Sequence, residues 1–255
     1  LLDKLFVFAN AARSPDPEAL VRDACELIRE HPLSSLFATS HHDREGKVIY
    51  RSEGGGFGTG ENAAAIQQQI AQAESLRRTI ACAAIETGRV TIVAQHFLSD
   101  EVFLSLLQNS PFVPHHLLAT FSRGFLRFFQ GDLTSALYVL TPLLENSLRD
   151  VLRLNGYDVT VFDDATQTQR DRTVSQLFEQ MRTELDGIFG EAITTDIENI
   201  FLKQPGPHIR HALSHGLLHD GIPYGTDAIY ACWLIFRLCL LPLFGHRDTL
   251  QFPFE

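Results

Sequence analysis

Apolar residues recur along most of this chain at intervals of three and four, the period of helices packed on one face. Pro17, just behind Ser14 and Asp16, opens an amphipathic stretch through Leu20, Val21, Cys25, Leu27 and Ile28 that stops at Pro32. The pattern then changes. Ser35–Ser40 and Lys47–Arg51 flank Asp43-Arg44-Glu45-Gly46 and read as a β-hairpin. From Glu61 to about Gly88 the sequence is rich in Ala, Gln, Ile and Leu and lacks proline, which predicts a long helix. A further helical stretch follows through Val93 and Ser99–Leu107.

Asn109-Ser110-Pro111-Phe112-Val113-Pro114 interrupts this pattern and marks the expected domain boundary. Beyond it come His115–Gln130 and Asp132–Leu154, the latter closed by Asn155-Gly156. A polar stretch, Asp163–Arg172, links to Thr173–Phe189, and Glu191–Leu202 follows. Pro205-Gly206-Pro207 breaks the chain. His208–His219 then reads as a short helix, Gly221-Ile222-Pro223 as a turn, and Thr226–Leu241 as a closing apolar helix. There is no internal repeat. The expected class is mainly α: an N-terminal helical region with a short hairpin, 1–110, and an all-α domain, 111–255.

Composition narrows the function. With 255 residues, 45% hydrophobic and 20% charged, the chain has the profile of an ordinary folded protein. A formal net charge of −10 argues against general binding of nucleic acid or a membrane surface, though not against a local basic site. Cys25, Cys82, Cys232 and Cys239 form no CxxC pair, and Cys232 and Cys239 share a face of an apolar helix, so buried thiols in a reducing cytoplasm are expected. The N-terminus shows no basic segment followed by an apolar run. Ala228–Phe244 approaches the length of a membrane span, but Arg237 and Pro242 favour a buried core helix.

Several motifs read as structural. Gly54–Gly60 fits neither a dinucleotide fingerprint nor a P-loop, and reads as a loop. His41-His42-Asp43 reads as turn residues rather than metal ligands. Glu145 and Arg149 are spaced as a helix-stabilising ion pair, and Glu184/Asp186 have no partner motif.

The segment Phe201–His219 stands apart. It holds no Asp or Glu, carries Lys203 and Arg210, and contains His208, His211, His215 and His219. On an ideal helix these four imidazoles fall within about 80° of one another, with Ile209, Leu213 and Leu217 on the core side. Such a stripe can be structural, can bind a metal, or can act on a phosphodiester. The zinc-protease glutamate is absent and no carboxylate in the segment completes a ligand set, so no metal or other cofactor is expected. Arg210 favours phosphodiester chemistry. A neutral imidazole can take the proton of a 2′-hydroxyl, and a permanent guanidinium can offset charge on phosphate oxygens.

Arg210-His211-Ala212-Leu213-Ser214-His215 resembles the R-x4–6-H motif of the HEPN superfamily, the higher eukaryotes and prokaryotes nucleotide-binding domains. Arg210 to Gly216 also looks like the Arg-Asn-x-x-x-His-Gly signature of a domain family that includes the endoplasmic-reticulum-associated RNA degradation protein. Pro142–Arg149 and the apolar helix after Gly221 resemble the flanking helices of that family, so the likeness covers roughly 111 to 245. It implies a HEPN-like helical bundle, a homodimer with paired motifs in one cleft, and metal-independent cleavage of RNA, not DNA, by 2′-hydroxyl attack. His215 would then be general base or acid, Arg210 would hold the phosphate, and His211 would assist. Glu145, Arg149, His208 and His219 would support them. Phage defence or toxin–antitoxin control, with an antitoxin or other regulatory protein as partner, is the setting the resemblance suggests. A non-catalytic helical dimer that binds RNA, a nucleotide or a protein is the alternative. Two departures stand out: His211 occupies the usual Asn position, and Arg210 and His215 lie about 140° apart on an ideal helix.

Overall fold

Ala228 through Phe236 are all buried, as are Leu238, Cys239 and Leu240, so the closing helix is apolar around its whole circumference. A helix of that kind must be enclosed by protein or lipid. In the computed structural model, which describes residues 1–31, 33, 39–42, 46–52 and 63–254, protein encloses it. The described elements before it are α1 (Leu2–Ala9), α2 (Pro17–Glu30), β1 (Thr39–His42), β2 (Val48–Ser52), α3 (Ala63–Gln95) and α4 (Asp100–Leu107). Next come α5 (Leu118–Gln130), α6 (Leu133–Leu154), β3 (Thr160–Asp163), β4 (Thr168–Asp171), α7 (Val174–Gln180) and α8 (Arg182–Phe189). The series ends with α9 (Glu191–Phe201), α10 (Ile209–Ser214) and α11 (Thr226–Leu240), followed by a 3₁₀ segment, Leu241–Thr249. The class is mainly α. Helices α1, α3, α5, α6 and α9 all pack against α11.

Aromatic packing joins the two halves of the chain. Phe8 and Phe103 lie with their ring centroids 5.1 and 5.3 Å from that of Phe129, and Phe129 lies 5.5 Å from Phe236 of α11. Trp233 donates its indole N–H to the Phe8 carbonyl at 2.8 Å, and Arg237 donates to the Ala9 carbonyl at 3.0 Å. The hydrophobic cluster around α11 runs from Leu5 to Leu243 and so draws on both sides of residue 110. Thr226–Thr249 is long and apolar enough to cross a membrane, but 78% of its most apolar window is buried inside the protein.

Local signals explain most element ends. Asp16 caps α2 by accepting from the backbone N–H groups of Glu18 and Ala19, with Pro17 at the first helical position. Asp132 caps α6 through the Ser135 N–H. Four expectations are corrected. Helix α3 runs on to Gln95, because Gly88 is not a stop: a Cβ there would meet the Phe8 ring at 2.9 Å, so the glycine admits α1. The polar stretch 163–172 contains most of a second hairpin, β3–β4, turned at Asp163, which accepts from the Ala165 and Thr166 N–H groups. Thr173–Phe189 is divided at Met181 into α7 and α8. His208–His219 shrinks to the six residues of α10. The N-terminal hairpin pairs Thr39 with Ser52 and His41 with Tyr50, while its turn residues 43–45 lie outside the described residues.

Beneath α3 sits a charged cluster whose members lie far apart in sequence. Asp196 of α9 is fully buried; it accepts from the Tyr230 hydroxyl at 2.7 Å and from Arg77 at 2.8 Å. Arg77 also forks onto Glu74 and donates to the Tyr230 oxygen at 2.9 Å, while buried Arg78 reaches Asp227 at 2.6 Å. Burial raises the Asp196 carboxyl above its ordinary value, against the pull of Arg77. Burial works against the Arg77 charge, but Glu74 and Asp196 outweigh it and hold the guanidinium above its usual value.

Removing Arg77 strands the buried carboxylate. Arg77→Ala is expected to cost about 3 kcal/mol, the low end for a broken buried pair because Arg77 keeps some exposure. Tyr230→Phe deletes a single hydroxyl and should cost about 1 to 2 kcal/mol. Urea unfolding of both variants checks the ranking. Thiol labelling checks the core: Cys82, Cys232 and Cys239 are buried, with the Cys82 thiol pushed up to about 11, chiefly by burial. Cys25 is half-buried and should react first in the native protein, the other three only on unfolding.

Candidate functional site

The chain leaves α9 through Gln204-Pro205-Gly206-Pro207. Gly206 packs so closely on the end of α9 that a Cβ there would meet the Lys203 carbonyl at 2.8 Å and the Asn199 carbonyl at 3.0 Å. His208 then adopts a left-handed conformation (φ 46°), uncommon for a side chain larger than glycine, and starts α10. Ile209 is buried and anchors the helix. At the far end Gly216 is also left-handed (φ 65°), with its N–H on the Leu213 carbonyl at 3.2 Å. The Leu217 N–H bonds to the Ala212 carbonyl at 2.8 Å. This pair of bonds is a Schellman ending, and it stops α10 at Ser214 with His215 as its C-cap.

Three of the four expected imidazoles come together. The His208 and His211 rings stack at 4.7 Å with 9° between their planes, and His211 and His215 lie 4.4 Å apart at 47°. His211 and His215 are exposed; His208 is half-buried, with its Nδ1 3.1 Å from the Gln204 amide nitrogen. Burial lowers the His208 pKa from 6.5, helped by the charges of His211 and Arg210. His219 is not part of the ladder, because it lies past the helix end, where its ring faces the position of Gly221. Leu217 is likewise corrected: the Schellman turn carries it away from the core and leaves it 61% exposed, while Leu213 packs on the core as expected.

Arg210 turns the other way, toward α6. Its Nη2 lies 3.4 Å from Glu145 Oε2, and Glu145 Oε1 accepts from Arg149 at 2.7 Å and from the Val174 N–H at 3.3 Å. The expected Glu145–Arg149 pair therefore forms, and its carboxylate also meets Arg210. Arg149 is held in turn by the Arg172 carbonyl at 3.1 Å. The angular separation of Arg210 and His215 persists: one faces the carboxylate on α6, the other faces His211. Tertiary structure also tempers the positive character expected of 201–219, since Lys203 pairs with Glu198 at 2.9 Å and Arg210 with Glu145.

Sequence reasoning missed Gln204, whose only signal is its place at the Pro-Gly-Pro break. Asp186 belongs to α8, where Arg182 holds it at 2.9 Å. Among the described residues no three His, Cys, Asp or Glu side chains group as metal ligands. Gly54–Gly60, Asp43 and the side chains of His41 and His42 lie outside the described residues. An apolar cavity of about 450 Å³, lined by residues such as Phe112, Leu154, Phe189 and Leu241, includes none of the histidines, and His211 and His215 stand exposed at the surface. Chemically the ladder offers two adjacent imidazoles open to solvent, a third, half-buried one biased to the neutral form, and a carboxylate-held guanidinium beside them. No protein-family profile, curated protein or solved structure matches the chain.

The lowered His208 pKa has a pH consequence. Below 6.5 the unfolded chain takes up a proton at this position more readily than the folded one. The contribution of neutral His208 is intact above 6.5 and lost as pH falls toward the folded value. Wild type should therefore lose stability on acidification more steeply than His208→Gln, and a histidine NMR titration should place the His208 midpoint below 6.5.

Proposed function

We propose that this protein is a metal-independent endoribonuclease whose chemistry is carried by α10. The observation that carries the reading is the contact of the exposed imidazoles His211 and His215, one and five residues after Arg210, itself held at 3.4 Å by Glu145. One imidazole of the ladder takes the proton of the 2′-hydroxyl, and the 2′-oxygen bonds to phosphorus. The bond from phosphorus to the 5′-oxygen breaks, and an imidazolium of the ladder returns a proton to that oxygen. A cyclic phosphate and a free 5′-hydroxyl result. His215 is the residue assigned to acid–base work, with His211 beside it. Arg210 binds the phosphate oxygens through whichever guanidinium edge Glu145 leaves free, and Glu145 is a positioning residue for it. Neutral His208 suits the ladder as a proton acceptor, and Arg149 supports Glu145.

One observation favours the alternative, a non-catalytic surface for RNA or a protein partner: Arg210 and His215 face different neighbours. Incubation of the purified full chain with single-stranded and structured RNA in EDTA separates the readings. Cleavage to cyclic-phosphate ends is expected, falling about 100-fold or more in His215→Ala and in Arg210→Ala. Glu145→Gln should lose less, with the loss concentrated in KM. Equal cleavage by wild type and His215→Ala removes the nuclease reading, and binding without cleavage supports the alternative.

A further inference from the structure

The five charged residues of α3 are Glu74, Arg77, Arg78, Glu86 and Arg89, and each is paired within the protein. The outward face of this 33-residue helix carries no charge. It carries instead Ala73, Leu76, Ile80, Ala83, Thr87, Val90 and Ala94, all exposed, with Phe97 continuing the series just past the helix end. Leu76, Ile80, Val90 and Phe97 are 63%, 66%, 55% and 90% exposed. A solvated helix face ordinarily shows the reverse, with charges outward and apolar residues inward.

The spacing along this face is three and four in strict alternation, the seam by which one helix packs on another. From Ala73 to Ala94 it extends about 32 Å at the rise of an α-helix. Its threonine hydroxyls have partners within the helix. Thr79, Thr87 and Thr91 each donate to the carbonyl four residues earlier, at 2.9, 2.8 and 2.7 Å, which satisfies the hydroxyls within the helix.

We infer that this face is an interface between two copies of the chain, with the α3 helices antiparallel about a two-fold axis near residue 85. The order of side-chain sizes favours this occupant. When the seam is reversed on itself, Leu76 meets Ala94, Phe97 meets Ala73, Ile80 meets Val90, and Ala83 meets Thr87. Bulky residues at the ends face alanines, and the centre is small enough for close approach. A two-fold axis uses the same patch on both copies, as isologous dimers do. The lack of charge on the face removes the repulsion that self-pairing otherwise has to overcome, and antiparallel helix dipoles favour the arrangement. The inference is independent of the chemistry proposed for α10.

Sedimentation equilibrium of the full chain tests it. Wild type is expected to dimerise at concentrations of about 1–100 μM. Ile80→Glu and Val90→Lys, both at exposed positions, should each weaken association about 100-fold while circular dichroism remains that of wild type. The double variant Ile80→Glu/Val90→Lys should recover the dimer, because the antiparallel register sets Glu opposite Lys twice. A monomeric wild type, or single variants that dimerise like wild type, overturns the interface. A double variant that stays monomeric overturns the antiparallel register.

Discussion

Helix α11 has no polar face to give to solvent, and the rest of the molecule is arranged to cover it. Trp233, Ile235 and Phe236 point to different sides of the helix and are all fully buried, so coverage has to come from several directions. Helices α1, α3, α5, α6 and α9 supply it. Because the apolar surface of α11 accepts many packings, polar contacts select one. The Trp233 N–H and the Arg237 guanidinium lock α1 in place through backbone carbonyls, and Tyr230 locks α9 and α3 through Asp196 and Arg77. Each of these groups is costly to bury without its partner, so the arrangement resists sliding.

That frame determines where the chemistry of α10 can lie. Asp196 holds α9 against the core, α9 delivers the Pro-Gly-Pro turn, and the close approach at Gly206 starts a short helix beside α6. The two left-handed residues, His208 and Gly216, limit α10 to little more than a turn and a half. A longer helix would have carried His219 into line with the other imidazoles. The short one sets three rings in contact and frees the fourth. Glu145 then meets Arg210 from a separate helix, making a carboxylate–guanidinium pair next to, but not within, the imidazole ladder.

Much of this was legible from local pattern. Helix ends at Asp16, Pro17, Asp132 and Gly131, the buried Cys232 and Cys239, and the Glu145–Arg149 pair all follow from neighbours within a few residues. The histidine excess in 201–219 was equally visible, as was the angular separation of Arg210 and His215. The errors share a cause. Gly88 reads as a helix end because its reason for being glycine, the Phe8 ring, lies eighty residues away. The β3–β4 hairpin hides in a polar stretch because β4 is exposed throughout and carries no apolar alternation. Leu217 and His219 fall into register only on a longer helix, and left-handed Gly216 ends α10 before them.

What the sequence determined by itself was therefore whatever hydrogen bonds and apolar period can specify over one or two turns: the helical class, most caps, and the imidazole-rich segment with its arginine. Only the tertiary structure decided which charges are spent. Arg77, Asp196 and Tyr230 are 119 and 34 residues apart along the chain, yet they share one buried network, and Arg210 meets a carboxylate 65 residues upstream. Coulombic and hydrogen-bonding partners depend on distance in space, which a linear pattern does not encode. The same reason explains α3, whose charged side turns inward to partners on other helices while its uncharged side faces outward.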